Sequence, residues 1–566
     1  MPNSNTTDPP PPPPPTSNSP PELTSSLITR CKTLLSELDA FQSLVASTQR
    51  NPQIVEARSL RSNVLSELRT LEKLTERVRV ASAETHNDTD ASANSNADAD
   101  ADADAEIQKR LLHALRSSNL PFYETVWTIA KRSCSGLVAF GKRFYWDGES
   151  REGEKETEGR DNSKATAKAQ IKGKGKGNGG KVKRKSVYVD IVADDGEEWV
   201  KVSTISETRL LFEMAKKGWE ADSESEDGSD EEGGRTILQN FKDGAGYDSD
   251  DDDEDEIELV KLAADMRKAA NVTRVNYKHP RLRMVISKIE EGKSSDIDNL
   301  LKVIRSYGVV VDCGEGNLGS SSSSEETNPE DVLAKELRRL LPTPFKRFTS
   351  LLNVDCTLLL AIVSDVSYFK KIPPSPSLHR AILRQLEVES QRPLLTTELW
   401  PAMGAHELVC TNEAARRMRE IVDVIGTDTE KKRAEIVMAD PPFNDRDAKD
   451  LIHDLQQLSD YEIPSHWKLP IRIVDAGPVI DAAKNNGQLP PVAHQVTEIL
   501  SDINYSVFMY GWATATTTIS SNRTVVKQIE ATVEMQRNGD EDLEGPQIWV
   551  CDTARSLVGK ERGRKD

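Results

Sequence analysis

The 566-residue sequence is poor in aromatic residues and has no long apolar run. Aromatics make up 5% and hydrophobic residues 36%, whereas charged residues reach 30%, which is too polar for a chain folded throughout. No stretch reaches the ~18 apolar residues of a membrane helix, and the N-terminus has no secretory signal. We therefore expect no membrane partner, a location in the cytoplasm, the nucleus or both, and two folded modules separated by disordered tracts.

Several motifs that would identify an enzyme are also absent. None of the six cysteines forms a Cys-x-x-Cys pair, which argues against a zinc ribbon or a redox centre. The eight histidines lack the His-Glu-x-x-His spacing of zinc hydrolases. Neither Gly-x-x-x-x-Gly-Lys-Ser/Thr nor Gly-x-Ser-x-Gly occurs, which excludes the nucleotide triphosphatases and esterases that carry these motifs.

The net charge of −19 is concentrated in a small part of the chain. Residues 222–232 and 248–258 together hold sixteen acids and no base, so the remainder is close to neutral and does not argue against binding an anionic polymer. The basic tract 172–185 suits contact with phosphates or a nuclear import signal, but it has no interleaved aromatics, and a solvated linker explains it equally well. The acidic tracts and the proline run 9–15 are candidate protein-binding segments.

Periodicity and composition divide the chain into segments. Leucines at helical spacing predict a helical hairpin within 21–82, with ordinary helix packing favoured over a coiled coil. Residues 186–202 predict a β-hairpin because alternating apolar residues flank the turn Asp194-Asp195-Gly196. The predicted organisation is a disordered Pro-rich tail (1–20), a helical module with the hairpin (21–220) and disordered inserts (84–104 and 150–185), a disordered acidic linker (221–256), an α/β domain (257–515) and a variable C-terminal tail (516–566).

The predicted α/β domain alternates short β-branched runs with helical segments. This alternation is typical of a parallel sheet with helices on both faces. Its strands are predicted at 282–287, 308–312, 348–354, 407–410, 434–438, 471–474 and 505–510.

Carboxylates follow three of these predicted strands. Asp355 follows the predicted strand 348–354, Glu413 follows the run 407–410, and Asp475 follows the run 471–474. Because parallel strands end at one edge of a sheet, these acids could converge there and bind a hard cation such as Mg²⁺ or Mn²⁺. The alternative is that Asp355 and Asp475 only cap the helices that follow. Further acids on the neighbouring helices are candidate ligands: Glu420, Asp365 and Asp481.

Two segments resemble PIN-like nuclease domains. Residues 353–364, an Asp-x-Thr before an apolar helix, are similar to the opening strand and helix of those domains. Residues 473–487 are similar to a later strand that ends in Thr-x-Asp/Asn, with Ile473 in place of the threonine. From about residue 22 to 515 the chain resembles an uncharacterised eukaryotic family, the domain of unknown function thirteen-oh-eight. Additional matching segments are 189–202, 275–278, 407–413 and 505–508.

The resemblance to PIN-like nucleases implies a divergent PIN-like protein that acts as a Mg²⁺- or Mn²⁺-dependent ribonuclease, whereas the family of unknown function has no established activity. Asp355 and Asp475 would bind the metal, and Glu413 would bind it or orient the attacking water. The alternative is a catalytically inactive PIN-like protein that serves as an RNA- or protein-binding scaffold. A rival site lies in the hairpin, where Asp190 and Lys201 are similar to the core of restriction-type nucleases, although Trp199 replaces the required acid.

Overall fold

The computed structural model describes residues 20–49, 53, 55–87, 109–147, 184–218, 256–314, 329–372, 378–551 and 553–559. The described chain forms two compact units. Most of the predicted Pro-rich tail, the two inserts and the acidic linker lies outside these ranges. Unit 1 comprises Met1–Leu38, Glu56–Thr273 and His279–Asn328, and unit 2 comprises Asp39–Val55, Arg274–Lys278 and Pro329–Asp566.

Unit 1 contains one mixed sheet of five strands: β1 (Ala139–Asp147), β2 (Arg184–Ala193), β3 (Glu198–Ser203), β4 (Arg281–Ile286) and β5 (Val309–Cys313). The strands lie side by side in chain order. β1, β2 and β3 are antiparallel neighbours, whereas β3, β4 and β5 are parallel. The turn between β2 and β3 places Asp194 and Asp195 at positive φ, as a tight hairpin requires. The predicted hairpin is therefore confirmed.

The helices of unit 1 follow the apolar periodicity of the sequence. In the last of them, Ile297, Leu300, Leu301 and Ile304 are buried at a spacing that places them on one face. Residues 109–116 also form a helical segment. The labelled helices are α1 (Pro20–Thr48, which begins in unit 1), α2 (Arg58–Asn87), α3 (Leu120–Ser133), α4 (Glu207–Lys216), α5 (Glu258–Asn271) and α6 (Ser295–Ser306).

The strands β4 and β5 belong to a different sheet from the one predicted. The sequence pattern assigned them to the α/β domain at 257–515, but β4 pairs with β3, so both strands extend the hairpin sheet of unit 1. A continuous apolar run identifies a buried strand, but it does not identify the strand with which it pairs.

Unit 2 contains a fully parallel sheet of five strands: β6 (Leu351–Val354), β7 (Glu407–Thr411), β8 (Arg472–Val474), β9 (Thr517–Ser520) and β10 (Ile548–Val550). Their spatial order is β10-β9-β6-β7-β8. Leu408 and Cys410 of β7 pack into one apolar cluster, and Val409 packs into another. Because neighbouring residues of a strand face opposite sides, the sheet is covered on both faces. The predicted α/β class, with a helix-flanked parallel sheet near the C-terminus, is confirmed.

The helices of unit 2 cover this sheet. None of the helices within the described ranges combines the length and hydrophobicity needed to cross a lipid bilayer. The helices are α7 (Pro329–Arg339), α8 (Cys356–Val363), α9 (Asp365–Tyr368), α10 (Arg380–Gln391), α11 (Trp400–Met403), α12 (Asn412–Ile425), α13 (Asp428–Met438), α14 (Ala448–Gln456), α15 (Ala476–Asn485), α16 (Ala493–Ile499), α17 (Asp502–Ala513) and α18 (Arg523–Met535).

Two predicted strands of unit 2 are helices. Residues 434–438 form the end of α13, which starts at a capping box between Thr427 and Glu430. Residues 505–510 lie in α17, where six consecutive residues are buried. A short run that is apolar on every side has no periodicity to separate a buried helix from a buried strand, which explains both errors.

The sheet also continues beyond residue 515, where the predicted domain ended. Strand β9 lies between β6 and β10, and all four of its residues are buried. The segment 516–566, predicted to be a variable tail, therefore supplies a central strand, helix α18 and an edge strand.

Candidate functional site at the carboxyl edge of the parallel sheet

The strand order of unit 2 creates one position where successive connections leave in opposite directions. From β6 the chain continues to β7 and β8 on one side, and then returns to β9 on the other side of β6. In open parallel sheets, ligands bind outside the carboxyl ends of the strands at such a switch point. The region beyond Val354 and Ser520, the last residues of β6 and β9, is therefore the candidate site.

Asp355 directly follows β6 and points into a polar network at this position. Its side chain is 2% exposed, and its Oδ2 atom accepts hydrogen bonds from Ser520 Oγ at 2.6 Å and Thr357 Oγ1 at 2.7 Å. Its backbone N–H donates to the carbonyl of Ile519 at 3.0 Å, which ties it to β9. Both hydroxyl groups bond to the same oxygen, so they fix the orientation of the carboxylate through one of its two atoms.

The two hydroxyl groups are themselves held by backbone amides after β9. Ser520 Oγ accepts from Asn522 N at 2.9 Å, and Thr357 Oγ1 accepts from Ser521 N at 3.1 Å. Asn522 also caps α18, because its side chain accepts from Val525 N. Each hydroxyl receives a backbone hydrogen and donates its own to Asp355, so the turn after β9 positions the carboxylate at the end of β6.

Burial raises the pKa of Asp355, and the hydrogen bonds from Ser520 and Thr357 oppose this shift. Within the part of the chain that the structure describes, no lysine or arginine contributes to the charge balance of this group. A buried carboxylate without a cationic neighbour gains free energy by binding a proton or a cation.

Glu413 lies in the first turn of α12, directly after β7. The helix starts at Thr411, whose side chain accepts from Ala414 N, and it packs against α8, the helix that follows Asp355. Glu413 Oε2 is buried and has no hydrogen-bond partner among the described residues. Glu420, two turns further along the same helix, is half exposed and pairs with Arg417 at 3.2 Å. Glu413 is thus the better placed of the two acids for this site.

Asp475 lies at the same edge of the sheet but follows β8, two strands away from β6. At an interstrand spacing of about 4.8 Å, the strands β6 and β8 are separated by roughly 10 Å. Its carboxylate is exposed and caps α15 by accepting from Gly477 N at 3.3 Å. The helix-capping alternative therefore describes the observed contact of Asp475, whereas Asp355 makes no such side-chain cap.

The remaining candidate acids have other surroundings. Asp365 is buried and accepts from Arg433 Nη1 at 2.5 Å and from the hydroxyls of Thr427 and Thr429 at 2.6 Å each. Asp481 is exposed on α15. These contacts bind Asp365 into the core of unit 2 rather than into the candidate site.

In the rival hairpin site of unit 1, Trp199 occupies the position at which a second acid is required. Asp190 is buried and pairs with Lys201, but Trp199 is 1% exposed and stacks on Phe144 with ring centroids 3.6 Å apart. Glu198 instead lies 3.8 Å from Arg283. The similarity to restriction-type nucleases is limited to one ion pair.

The candidate site has oxygen donors after three adjacent strands. Asp355 follows β6, and its two neighbours β7 and β9 are followed by Glu413 and Ser521. Like Glu413 Oε2, Ser521 Oγ is buried without a hydrogen-bond partner among the described residues. No group of three or more His, Cys, Asp or Glu residues in those same ranges is arranged to hold a metal ion. The two carboxylates and the hydroxyl oxygens of this site are ligands of the type that Mg²⁺ and Mn²⁺ prefer.

The sequence analysis missed the contribution of β9. The signal was available: the β-branched run Thr516-Thr517-Thr518-Ile519 precedes Ser520-Ser521-Asn522 and an apolar helical pattern. This is a strand followed by a helix N-cap.

Comparison with known proteins gives one match. Residues 352–459 match a family described as a protein of unknown function (DUF1308). The family resemblance predicted from the sequence is therefore confirmed over this segment, which contains Asp355 and Glu413 and ends before Asp475 and Ser520. No curated protein sequence and no solved structure matches the chain.

Proposed function

We propose that unit 2 is a PIN-like domain whose site at the carboxyl edge is a divergent Mg²⁺- or Mn²⁺-dependent ribonuclease centre. The observation that supports this most directly is the alignment of oxygen donors after three adjacent strands: Asp355 after β6, Glu413 after β7 and Ser521 after β9. Glu413 Oε2 and Ser521 Oγ are buried without a hydrogen-bond partner among the described residues, so both atoms have the capacity to bind a cation. Mg²⁺ is commonly held by one or two carboxylates together with waters and substrate phosphates, so a third acid is not required.

In this proposal Asp355 and Glu413 bind the metal, and Ser520 and Thr357 position Asp355. Hydrogen bonds to a metal-binding carboxylate fix its orientation and tune its basicity, which is the role these hydroxyls are suited to fill. A bound divalent ion supplies an activated water and stabilises negative charge on the scissile phosphate. Helices α8, α12 and α18 all begin at this edge, and their N-terminal backbone amides favour a polyanionic substrate.

Metal binding is tested by thermal melting of the full-length protein with and without Mn²⁺. A ligand that binds only the folded state stabilises it, by about 2.7 kcal/mol at a hundred times the dissociation constant. The wild type is expected to melt at a higher temperature in Mn²⁺, whereas Asp355→Asn and Glu413→Gln lose most of that increase. Asp475→Asn is the matched control, because Asp475 is an exposed acid at the same sheet edge.

The control decides between two arrangements of the site. If Asp475→Asn loses the Mn²⁺ effect as completely as Asp355→Asn, the sequence-based assignment of Asp475 as a ligand is right and the three-strand arrangement is wrong. If no protein responds to Mn²⁺, the metal site itself is rejected.

Catalysis is tested separately with single-stranded RNA and Mn²⁺. The wild type and Asp475→Asn are expected to cleave the RNA. Asp355→Asn is expected to be more than about a hundredfold slower, because losing a metal ligand should exceed the roughly 10- to 100-fold cost of losing an outer-shell partner. Equal background cleavage by the wild type and Asp355→Asn would remove the enzyme from consideration.

The inactive PIN-like alternative has one specific observation in its favour. The last residue of β9 is Ser520, so the central strand beside β6 contributes a hydroxyl where an acid could have stood, and that hydroxyl is bonded to Asp355. An Mn²⁺ effect on melting without RNA cleavage would select this alternative, a scaffold that retains the site but not the reaction.

A further inference from the structure

Unit 1 presents two exposed tyrosines on neighbouring antiparallel strands. Tyr145 of β1 is 57% exposed and Tyr188 of β2 is 37% exposed. Arg143 stands directly opposite Tyr188, so the two tyrosines are diagonal neighbours across the β1–β2 pair. Val187 and Val189, which alternate with Tyr188 along β2, are buried on the opposite face of the strand. We call the exposed surface formed by Arg143, Tyr145, Tyr188 and Lys201 the tyrosine face.

Tyr188 lies across the neighbouring strand because Gly141 leaves room for it. A Cβ atom at Gly141 would stand 2.1 Å from the Tyr188 hydroxyl oxygen, and Gly141 has a φ of +66°, where a side chain is strained. Two cations lie near the ring: the Arg143 guanidinium is 5.7 Å and Lys201 Nζ is 5.4 Å from its centroid. The ring is thus held on the sheet surface by packing and by cation–π interactions.

The surroundings of the tyrosine face are basic. Arg143 is exposed on β1 and Arg184 at the start of β2, and the pairing of the strands places both on the face of Tyr145 and Tyr188. Lys142 and Lys185 are exposed on the opposite face of the sheet. The buried acid Asp190 is paired with Lys201 at 3.1 Å, and it accepts from Val202 N at 2.8 Å. In sequence, the basic tract 172–185 leads directly into β2. That tract lacks aromatics of its own, but Tyr188 follows its last residue by three positions, and Tyr145 lies opposite Ser186.

We propose that the tyrosine face binds single-stranded nucleic acid, with bases stacking on Tyr145 and Tyr188 and phosphates bound by Arg143 and Arg184. Aromatic side chains on adjacent strands of an open sheet face are a known platform for unpaired bases, and cations along the strands neutralise the backbone. Diagonal cross-strand neighbours lie about 7–8 Å apart, which lets each ring receive a separate base. This inference depends only on unit 1 and does not rest on the ribonuclease proposal.

The experiment measures binding of fluorescently labelled 12-nucleotide oligo(U) and oligo(dT) to the full-length protein by anisotropy. EDTA is present throughout, so neither RNA cleavage nor the proposed metal site contributes. The variant Tyr145→Leu/Tyr188→Leu is expected to bind both oligonucleotides roughly five- to a hundredfold more weakly than the wild type, which is the effect of losing one stacked base or more. Tyr188→Phe keeps the ring and is expected to retain most of the affinity.

The charged part of the surface has a different signature. Arg143→Gln is expected to weaken binding and to reduce the slope of log affinity against log salt by about one, because one phosphate contact is lost. The matched control is Phe212→Leu/Lys216→Gln. It removes an exposed aromatic and an exposed cation from α4, elsewhere in unit 1, and should bind as the wild type does.

Two outcomes would overturn the proposal. If the wild type does not bind either oligonucleotide at low salt, the tyrosine face is not a nucleic-acid site. If it binds but the double tyrosine variant binds equally well, the affinity belongs to the basic tract alone. Circular dichroism checks that each variant is folded. If the double variant is unfolded, the single variant Tyr145→Leu, which changes a mainly exposed side chain, replaces it in the comparison with the wild type. Weaker binding of oligo(dT) than of oligo(U) would identify RNA as the natural ligand.

Discussion

The sheets of the two units each have five strands, but the polar side chains lie on a face of the first sheet and at the strand ends of the second. In unit 1 the first three strands are antiparallel, and the β1–β2 pair carries exposed tyrosines and cations on one face. In unit 2 every pairing is parallel, both faces are covered by apolar clusters, and the polar side chains gather after the strand ends. A covered parallel sheet can present chemistry only at its edge, whereas an antiparallel sheet can use its open face.

Two buried aspartates show the same contrast at the level of single residues. Asp190 in unit 1 and Asp355 in unit 2 are 4% and 2% exposed, and burial raises the pKa of both. Asp190 has Lys201 as an ion-pair partner. Asp355 is held by the hydroxyls of Ser520 and Thr357 and by backbone N–H groups, and within the described residues no lysine or arginine offsets its charge. The charge of Asp190 is therefore neutralised within the fold, whereas the charge of Asp355 can still be neutralised by a bound cation.

The largest expected effect concerns the boundary of unit 2. A chain ending after residue 515 lacks β9, α18 and β10, so β6 loses its hydrogen-bonded neighbour Thr517–Ser520 and the apolar cluster beneath α18 is opened. We expect unit 2 to lose its folded structure, with rapid proteolysis between residues 351 and 513 in limited digestion followed by mass spectrometry.

A chain ending after residue 559 is the control for this truncation, because it keeps every strand of the sheet. It should resist digestion like the full-length protein. Equal resistance of the 515-residue chain would show that the β9–β10 half of the sheet is dispensable.

A smaller effect is expected from removing, in each unit, a cation that pairs with a buried aspartate. Arg433 in unit 2 is fully buried, bonds to Asp365 at 2.5 Å and donates to the carbonyl of Leu458 at 2.7 Å. Arg433→Met should destabilise unit 2 by about 3–5 kcal/mol, because it leaves Asp365 charged and unpaired. Lys201→Met should cost unit 1 only about 1–3 kcal/mol, because the lysine is partly exposed and Asp190 keeps its bond to Val202.

Hydrogen exchange with mass spectrometry measures these free energies for peptides of each unit separately. Arg446→Met and Lys293→Met are the matched surface controls, and both should stay within about 0.5 kcal/mol of the wild type. A larger loss from Lys201→Met than from Arg433→Met would contradict the difference in burial on which this comparison depends.

The smallest expected effect is a pH-dependent stabilisation by Asp355→Asn. The pKa of Asp355 in the folded state lies above the usual 3.8, so ionisation of this carboxyl destabilises the fold. The destabilisation is complete at pH values above the folded-state pKa and absent at pH values below the unfolded-state pKa. With metal chelated, the variant should therefore melt a few degrees higher than the wild type at pH 7. The difference should shrink as the pH falls towards 3.8.

Melting curves of both proteins across this pH range provide the measurement. A variant that is less stable than the wild type at pH 7, or a difference that grows on acidification, would show that the hydroxyl donors of Ser520 and Thr357 outweigh the burial of the charge.

Much of the local structure could be predicted from the sequence, since it depends on local signals. The Asp194–Gly196 turn and the alternation around it predicted the β2–β3 hairpin, and the run before Asp355 predicted β6 and α8. The errors at 434–438 and 505–510 arose where burial on all sides removed the periodicity. In the candidate site, Asp355 and Glu413 were predicted. Ser520 and Ser521 were missed because their segment was assigned to a variable tail, and no local signal indicates that its strand pairs with β6, more than 160 residues earlier.

The sequence by itself determined where strands, turns and helix starts occur, because these depend on the conformational preferences of neighbouring residues. It also determined which carboxylates follow strands. Only the tertiary structure decided which strands are neighbours: β4 joined the hairpin of unit 1, β9 came to lie beside β6, and β8 was separated from β6 by β7. Strand partners are selected by the burial of whole faces against helices from distant parts of the chain, and this is a property of the assembled core rather than of any segment.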